Sequence, residues 1–205
     1  MAIVGVIDSG ISNIRSVTNA LDALGVQYKR IASAPDFDHC SHLILPGDGT
    51  FSAGMKILTE TGLAEALCAA AAQGKYVLGI CLGMQLLAKE GTEFGCQPGL
   101  GLIPGRIVKM VPSERKLPVP QIGWNTVTFT RYSRITQGLG DFSTYYFMHS
   151  YAYESPDADY VVATFEYSGR AVAIIEMGNV FGFQFHPEKS QQAGLKLLSR
   201  FAELK

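Results

Sequence analysis

Over its first ninety residues the sequence alternates short apolar runs with segments of helical periodicity, and this alternation restricts the possible folds more than any other feature. The run "AIVGVI" is typical of a buried strand, and apolar residues then recur at helical spacing from Ile14 to Leu24 until Gly25 ends the pattern. The pattern returns with the strand candidate "HLILP", a glycine-rich loop "GDGTF", the helix candidate "LAEALCAAAAQG", the strand candidate "KYVLGI" and a helix beginning at Leu82. Such alternation predicts parallel strands joined by right-handed crossovers.

The second half of the chain, from about residue 96, is instead rich in Pro, Gly and short β-prone runs. The runs "GRIVKM", "NTVTFT", "YYFMHSYA", "DYVVATFEY", "RAVAIIEM" and "NVFGFQF" are typical of antiparallel strands and hairpins, and "SQQAGLKLLSRFAELK" predicts a closing amphipathic helix. We therefore predict an α/β fold with a mixed, largely parallel central sheet flanked by helices and with antiparallel additions. Because no linker long enough to separate domains is apparent, we expect a single domain over residues 1–205.

Charge and composition argue against several classes of function. With 205 residues, 47% of them hydrophobic, the chain can bury one sizeable core, and a formal net charge of -1 gives no global basic field to attract nucleic acid or an anionic membrane. No apolar run reaches the roughly 18 residues that span a bilayer, and "MAIVGVIDSG" lacks the features of a signal peptide, so we expect a cytoplasmic protein. The cysteines and histidines lack metal-ligand spacing, so we expect free thiols and no metal site.

The stretch "GICLGMQLL" places Cys81 between two glycines where a strand candidate gives way to a helix. A strand that turns sharply at Gly-x-Cys-x-Gly into a helix has the form of a nucleophile elbow, which lifts the side chain above the edge of the sheet. The helix N-terminus would favour a thiolate, and the backbone N–H of Leu82 with a donor from the turn "PGDG" could form an oxyanion hole. The alternative, from this stretch alone, is a small buried cysteine whose glycines permit helix–sheet packing.

Thiol catalysis also needs a base, and the histidines of the chain are His39, His42, His149 and His186. A structural role is favoured for His39 and His42 at a predicted strand start, and His149 lies within an apolar strand candidate. His186 follows the strand candidate "FGFQF" and precedes Glu188 by two residues, so the carboxylate could orient the imidazole at the sheet edge. "HPE" alone could be a turn with an exposed acid, but together with the elbow it indicates a Cys–His–Glu triad.

Together, "GICLGMQLL" and "GFQFHPEKS" resemble the class I, triad-type glutamine amidotransferases, and the resemblance covers essentially the whole chain. Within that class, "PGDGTF", "IGWN" and "YYFMHSY" are most similar to the glutaminase subunits of imidazole glycerol phosphate synthase, which work beside a barrel-shaped cyclase in histidine biosynthesis. The resemblance implies a three-layer, flavodoxin-like fold, no cofactor, and a heterodimer with the cyclase. It also implies that glutamine is hydrolysed to glutamate, that ammonia passes to the partner, and that the isolated subunit is nearly silent.

The same resemblance implies roles for residues at matching positions. Cys81 would be the nucleophile that forms a γ-glutamyl thioester, His186 the general base and acid, and Glu188 the residue that orients the imidazole. Gly49 would join Leu82 in the oxyanion hole. The expected substrate-binding residues are Gly47, Gln85, Glu93, Ser150 and Tyr151. The expected partner-facing or ammonia-gating residues are Asn13, Gln121, Trp124, Asn125, Tyr146 and Lys189.

Pattern alone supports a plainer interpretation of some of these residues. Gln85 and Glu93 would be surface residues, and Trp124, the only tryptophan, would pack in the core with its indole N–H satisfied. The turn "PGDG" could instead hold a phosphate, although it lacks the Lys-Ser/Thr ending of a P-loop. The roles of Gln85, Glu93 and Trp124 therefore rest on the resemblance.

Three departures from the family pattern bear on specificity. Asp48 stands in the oxyanion turn where the family usually has valine, and we expect its carboxylate to point away from the thiolate, so that the turn supplies only backbone donors. Gln121 replaces a common histidine, and the loop "DSGISN" lacks a frequent tyrosine and extra glycines. These departures leave a second function open, in which the chain is a related subunit that supplies ammonia for sugar amidination in surface polysaccharide synthesis. A reactive-cysteine sensor or a thiol peptidase is a more distant alternative.

Overall fold

The computed structural model describes residues 2–10, 12–111, 117–167 and 169–205, so that Ile11 of the loop "DSGISN" lies outside the described residues. The α-helices in these ranges are α1 (Ile14–Ala23), α2 (Phe51–Glu60), α3 (Leu63–Ala72), α4 (Leu82–Leu86) and α5 (Gln191–Ala202). The strands in the same ranges are β1 (Val4–Ile7), β2 (Tyr28–Ile31), β3 (His42–Gly47), β4 (Tyr76–Cys81), β5 (Ala88–Gly91), β6 (Gln97–Pro98), β7 (Ile103–Lys109), β8 (Gln121–Phe129), β9 (Phe142–His149), β10 (Tyr151–Glu154), β11 (Val161–Glu166), β12 (Arg170–Met177) and β13 (Val180–Phe183).

One half of the main sheet is parallel, in the order β2-β1-β3-β4-β13. Strands β1, β3 and β13 are buried along their whole length, as expected for apolar runs in a sheet that is covered on both faces. Helix α1 connects β1 to β2, and α2 and α3 lie between β3 and β4. The carboxyl ends of β3 and β4 meet with Gly47 opposite Cys81, which is where a parallel sheet of this kind binds ligands.

The other half of the main sheet is antiparallel, in the order β13-β12-β11-β8-β9, so the antiparallel additions are confirmed. Strand β13, which lies in the run "NVFGFQF", borders both halves because it is antiparallel to β12 and parallel to β4. The sheet is therefore mixed, with four parallel and four antiparallel pairings among the described strands, rather than mostly parallel. A second sheet has the order β10-β7-β5-β6, and only its β5–β7 pair is parallel.

Elements β2, α2 and β5 are not apparent from the sequence pattern. Strand β2 is an edge strand, and its exposed Lys29 and Arg30 interrupt the apolar run by which a buried strand is predicted. Helix α2 follows the glycine-rich turn directly and contains Gly54, which weakens its helical pattern. The helix that begins at Leu82 ends after five residues, because the chain then enters β5 and pairs with β7. These elements depend on packing and pairing with distant parts of the chain.

Helices cover both faces of the main sheet, and this confirms the three-layer arrangement. On one face, Leu21 of α1 and Phe201 of α5 pack into a cluster of buried apolar side chains. On the other face, Leu58, Leu67 and Leu86 from α2, α3 and α4 belong to a second cluster. Burying one such leucine side chain contributes about 1.5–3 kcal/mol. None of the helices in the described ranges is long and apolar enough to cross a membrane.

Candidate active site

Cys81 is the last residue of β4, and the chain turns directly from it into α4. Its φ of 53° lies in the left-handed region, which a residue with a side chain rarely adopts. The turn brings α4 so close to the sheet that a Cβ on Gly83 would overlap the carbonyl oxygen of Leu45, and one on Gly79 would lie 2.5 Å from the Met84 nitrogen. Glycine is therefore needed at both positions, and the segment has the geometry of a nucleophile elbow.

His186 and Glu188 form a buried pair just beyond β13, where Glu188 lies in the 3₁₀ turn Pro187–Lys189. Nδ1 of His186 donates a hydrogen bond to Oε1 of Glu188 at 2.8 Å, and the two side chains are only 4% and 5% exposed. Nε2 of His186 is buried and has no hydrogen-bond partner among the described groups. The carboxylate thus fixes the orientation of the imidazole and leaves Nε2 free to exchange a proton.

The charge of His186 is set by two opposing effects. Burial lowers the pKa of His186, but its interactions with Cys81 and Glu188 outweigh burial and raise this pKa to about 10. A protonated imidazole is therefore favoured at His186, beside the Cys81 sulfur. This pairing suits thiol catalysis, in which a base next to the sulfur must also supply a proton to the leaving group.

A cavity of about 450 Å³ opens over Cys81 and is built from distant segments of the chain. Its described lining consists of Asn13, Asp48, Gly49, Cys81, Leu82, Gln85, Glu93, Pro120, Met148, His149, Ser150, Tyr151 and Lys189. Most of these residues are those that the sequence assigns to the site. The sulfur of Cys81 lies 3.7 Å from the carbonyl oxygen of Met148. A larger cavity of about 650 Å³ has neither cysteine nor histidine in its described lining, so it offers no thiol nucleophile.

The turn after β3 supplies backbone to the cavity. Gly49, with a φ of 96°, lines the cavity together with Leu82, as expected for oxyanion donors. Gly47 is buried close to Leu82 and Gly83 of α4 and is not part of the described lining of the cavity. A side chain at this position would hold α4 away from the sheet, so Gly47 has a packing role, and its binding of substrate stays a prediction.

Asp48, the unusual residue of this turn, is partly exposed and also lines the cavity. Its carboxylate oxygen Oδ2 accepts a hydrogen bond from the backbone N–H of Asn13 at 3.3 Å. The carboxylate is thus bonded to the β1–α1 loop, and the described residues show no hydrogen bond between it and Cys81. This agrees with the expectation that the turn offers only backbone groups to a developing oxyanion.

Gln85 and Glu93 are held in place at the edge of the cavity. Gln85 is only 6% exposed, so its interpretation as a surface residue is wrong. Its Nε2 donates to the carbonyl oxygen of Tyr151 at 2.9 Å and to Oε1 of Gln184 at 3.2 Å, which leaves the Gln85 oxygen as an acceptor for a ligand. Glu93 is half-buried, and its Oε2 accepts the N–H of Phe51, the first residue of α2, at 2.7 Å.

His149 is a candidate site residue that the sequence analysis missed. Its Nδ1 donates to the carbonyl oxygen of Tyr151 at 2.8 Å, and its Nε2 is buried without a partner in the described part of the chain. Burial lowers the pKa of His149 to about 4, although the bond to Tyr151 opposes this shift. His149 is thus neutral near pH 7. Its position immediately before Ser150 and its alternation with the buried Phe147 are the sequence signals that could have identified it.

Strands β8 and β9 present an exposed apolar surface close to the cavity, here called the β8–β9 face and defined by Ile122, Trp124, Tyr146 and Met148. Ile122 lies opposite Met148, and Trp124 opposite Tyr146. Ile122 is 61% exposed, Trp124 49% and Met148 37%. The rings of Trp124 and Tyr146 meet edge to face with centroids 5.9 Å apart. Trp124 is therefore not a core residue, and the four side chains form a patch suited to a protein partner.

Gln121 and Asn125 lie on the opposite side of β8 from Trp124. Gln121 is 3% exposed and stands across from His149 in the sheet. The side-chain amide of Asn125 donates to a carbonyl oxygen at the end of β11 at 2.9 Å. Since successive side chains of a strand point to opposite faces, neither residue reaches the β8–β9 face. Gln121 is buried and Asn125 is partly buried on that side of the strand, so the predicted contact of these residues with a partner stays a prediction that the β8–β9 face does not support.

Comparison with known proteins gives matches over nearly the full length of the chain. The family model "Glutamine amidotransferase class-I" matches residues 5–203. The imidazole glycerol phosphate synthase subunit HisH of Geobacillus sp. (strain WCH70) is 41% identical over 204 residues, covering 98% of this chain and 96% of the relative. The subunit of the same name from Chlorobium chlorochromatii (strain CaD3) is 42% identical over 200 residues, covering 96% of this chain and 98% of the relative.

Solved structures match the fold. A structure of a glutamine amidotransferase has a TM-score of 0.76 at 20% sequence identity and covers 98% of this chain and 99% of the other. The structure of PurLQS from Thermotoga maritima has a TM-score of 0.76 at 22% identity, with coverage of 98% and 97%. At these identities the likeness extends to the fold alone, and it agrees with the three-layer α/β arrangement.

Proposed function

Because the chain belongs to the class-I glutamine amidotransferase family, we propose that it is the glutaminase subunit of an imidazole glycerol phosphate synthase. In this role it hydrolyses glutamine to glutamate and passes ammonia to a cyclase partner in histidine biosynthesis. The observation that supports the proposal is the interaction of the buried His186–Glu188 pair with Cys81, which lines the cavity. The chain that carries this arrangement is matched over nearly its full length by such subunits.

In the first half of the proposed reaction, the Cys81 thiolate attacks the side-chain carbonyl carbon of glutamine and forms a tetrahedral intermediate. The backbone N–H groups of Gly49 and Leu82 donate to its oxyanion. His186 then gives the proton on Nε2 to the amide nitrogen, the C–N bond breaks, and ammonia leaves a γ-glutamyl thioester on the sulfur. The raised pKa of His186 suits this step, because the imidazolium is the form that can donate.

In the second half, water attacks the thioester and His186 accepts its proton. Acylation removes the negative charge of Cys81, which is one of the two interactions that raise the pKa of His186, so the imidazole becomes a better proton acceptor once ammonia has left. The C–S bond then breaks, glutamate is released, and the thiolate and imidazolium are restored. Glu188 holds Nδ1 throughout, so that Nε2 is always the nitrogen that exchanges protons.

The amino-acid end of glutamine is proposed to bind at the rim opposite Cys81. The free oxygen of Gln85 and the carboxylate of Glu93 are acceptors suited to the α-ammonium group. Backbone N–H groups of Ser150 and Tyr151, which follow β9 directly and line the same cavity, are donors suited to the α-carboxylate. This placement gives substrate contacts at both ends of the cavity and leaves the side-chain amide at the thiolate.

The partner is proposed to be a barrel-shaped cyclase that forms a heterodimer with this chain and covers the mouth of the cavity. Ammonia released into water at neutral pH would be protonated and lose its nucleophilicity, so the product must leave through a covered path. The β8–β9 face supplies an apolar contact, and exposed Asn13 and Lys189 border the cavity. A cytoplasmic location is part of the same proposal and is testable by cell fractionation.

The test is glutamate formation from glutamine, measured for the protein alone, with an imidazole glycerol phosphate synthase cyclase, and with that cyclase plus its nucleotide ligand. We expect a large, ligand-dependent rise that Cys81→Ala abolishes. If a complex forms without any rise, the histidine-pathway assignment is wrong, and synthases that amidinate sugars become the partners to assay. If Cys81→Ala has the same glutaminase activity as the wild type, Cys81 is not the nucleophile.

A further inference from the structure

The Ser190 side chain lies between the catalytic turn and β9, and the residue is only 1% exposed. Its hydroxyl donates to the carbonyl oxygen of His186 at 2.6 Å and accepts the N–H of Tyr146 at 2.9 Å. The N–H of His186 donates to the carbonyl oxygen of Tyr146, also at 2.9 Å. These three bonds close a ring, so the backbone on both sides of the catalytic imidazole is tied to one residue of β9.

This ring of hydrogen bonds lies at the edge of the main sheet that is formed by β9. Strand β9 ends the sheet and pairs with β8 alone within the described order of strands. The backbone groups on its other edge need partners when they are buried, and at Tyr146 these partners are His186 and Ser190. The catalytic turn is therefore held in position by the backbone of β9 and by the Ser190 hydroxyl, which joins the turn to the strand.

The same residue of β9 belongs to the surface proposed to meet the partner. The side chain of Tyr146 lies on the β8–β9 face against Trp124. Trp124 and Ser190 also line one surface depression of about 410 Å³ at the start of α5. A protein bound to the β8–β9 face would thus contact Tyr146. The backbone of Tyr146 holds His186 both directly and through the Ser190 hydroxyl.

We propose that Ser190 is a positioning residue that couples the β8–β9 face to His186, so that docking of the partner sets the position of the imidazole relative to Cys81. The inference rests on the proposed function and adds a path from the partner surface to the triad. Ser190 does not reach the described lining of the cavity, and its hydroxyl is occupied by two backbone groups. It acts through His186 and makes no contact with substrate.

Three variants separate positioning from simple stability. Ser190→Ala removes the hydroxyl with little change in volume and leaves the Tyr146 N–H and the His186 carbonyl oxygen without that partner. Ser190→Thr keeps a hydroxyl at the same place. Ser199→Ala is the matched control, because Ser199 lies on α5 and its hydroxyl bonds only the exposed Glu203, at 2.7 Å, among the described groups.

The measurements are kcat and KM for glutamine with and without the cyclase, and the rate of Cys81 alkylation by iodoacetamide, at a temperature where circular dichroism shows every variant folded. We expect Ser190→Ala to lower the partner-stimulated kcat by about 10- to 100-fold, as a misplaced catalytic group does. The KM for glutamine should stay within about threefold of the wild type, because no substrate contact is lost. Ser190→Thr should restore most of the kcat, and Ser199→Ala should match the wild type.

Several results would overturn the inference: a normal partner-stimulated kcat in Ser190→Ala, an equal loss in Ser199→Ala, or a loss confined to KM. An unchanged alkylation rate in Ser190→Ala would also show that the Cys81–His186 geometry does not depend on the hydroxyl. Failure of the proposed function is distinct, since it appears as an absence of activation in the wild-type protein, whereas failure of this inference appears as normal activation in Ser190→Ala.

Discussion

At the scale of single residues, the imidazole of His186 takes its orientation from Glu188 and part of its affinity for a proton from the same carboxylate. The carboxylate accepts the Nδ1 proton of His186 at 2.8 Å and, with Cys81, raises the pKa of His186 against the effect of burial. An amide in place of this carboxylate keeps the shape of the side chain but removes the charge and can present a donor to Nδ1. The imidazole then loses both its fixed tautomer and part of its affinity for a proton.

We therefore predict that Glu188→Gln lowers kcat by about two to four orders of magnitude. The variant should remain folded, because the replacement is nearly isosteric. Steady-state glutamine hydrolysis with the partner present measures the effect, and Glu203→Gln, at an exposed position near the end of the chain, is the control. A kcat within a few-fold of the wild type would exclude Glu188 from the triad.

Two buried histidines of the site, His149 and His186, affect stability in opposite pH ranges. The pKa of His149 falls from 6.5 to about 4 on folding, so the unfolded chain binds a proton that the folded one does not, and stability is lost as the pH drops through this window. The pKa of His186 rises to about 10, so its contribution is complete below pH 6.5 and is lost as the pH rises towards 10.

For His149 this linkage predicts a loss of about 3 kcal/mol in the free energy of unfolding between pH 6.5 and pH 4. His149→Gln should remove that part of the pH dependence, because glutamine does not titrate. Urea denaturation at a series of pH values measures it, and His39→Gln, at an exposed position, should keep the wild-type slope. Parallel curves for His149→Gln and the wild type would show that His149 does not resist protonation in the folded protein.

At the scale of secondary-structure elements, the site depends on how closely α4 approaches the sheet. A Cβ on Gly83 would overlap the Leu45 carbonyl oxygen, which belongs to the backbone of β3 and cannot move without breaking strand pairing. A Cβ on Gly54 of α2 would instead meet the flexible end of Leu86, at 2.9 Å. The two glycines therefore differ in how easily their surroundings can accept a methyl group.

Gly83→Ala is predicted to lower the free energy of unfolding by about 1–3 kcal/mol or more and to slow alkylation of Cys81, since the elbow must shift. Gly54→Ala should change stability by less than about 1 kcal/mol, because better helix propensity offsets the tighter contact. Thermal melts and iodoacetamide kinetics of the two variants provide the comparison. An equal effect at both positions would contradict the close approach of α4.

The elements that the sequence predicts best are those with local, periodic signals. Strands β1, β3 and β4 and helices α1, α3 and α5 follow from apolar runs and helical spacing, and the elbow follows from its glycines. Strands β2 and β5 are not predictable in this way, because long-range pairing defines them. The inward orientation of Gln121 and Asn125 depends on the register of β8 with β9, which no local pattern contains.

At the scale of the whole molecule, the apolar β8–β9 face has no cover within the described chain, and its largest side chain is Trp124. Aromatic residues at the centre of such patches contribute much of the binding energy of protein interfaces. The residue is half exposed, so about half of its surface is available to a partner and the rest packs within the isolated chain. Its removal should therefore affect both partner binding and stability.

We predict that Trp124→Ala weakens binding of the cyclase by about 30-fold, equivalent to about 2 kcal/mol. The free energy of unfolding of the isolated chain should fall by about 1–2 kcal/mol, because the buried half of the side chain is lost. Calorimetric titration and urea denaturation measure the two quantities, and Thr126→Ala, exposed on the same side of β8, is the control. Unaltered affinity in Trp124→Ala would place the partner on another surface.

The cavity over Cys81 draws its lining from residues spread between Asn13 and Lys189, and this has a consequence for the order of events in the cell. A ribosome adds residues from the N-terminus onward, so the thiol is made about a hundred residues before His186 and Glu188. A nascent chain carries a nucleophile without its base, and β4 lacks its neighbour β13. A nascent chain that stops before Glu188 therefore holds the thiol without the pair proposed to exchange its protons, and it cannot carry out the proposed cleavage of glutamine.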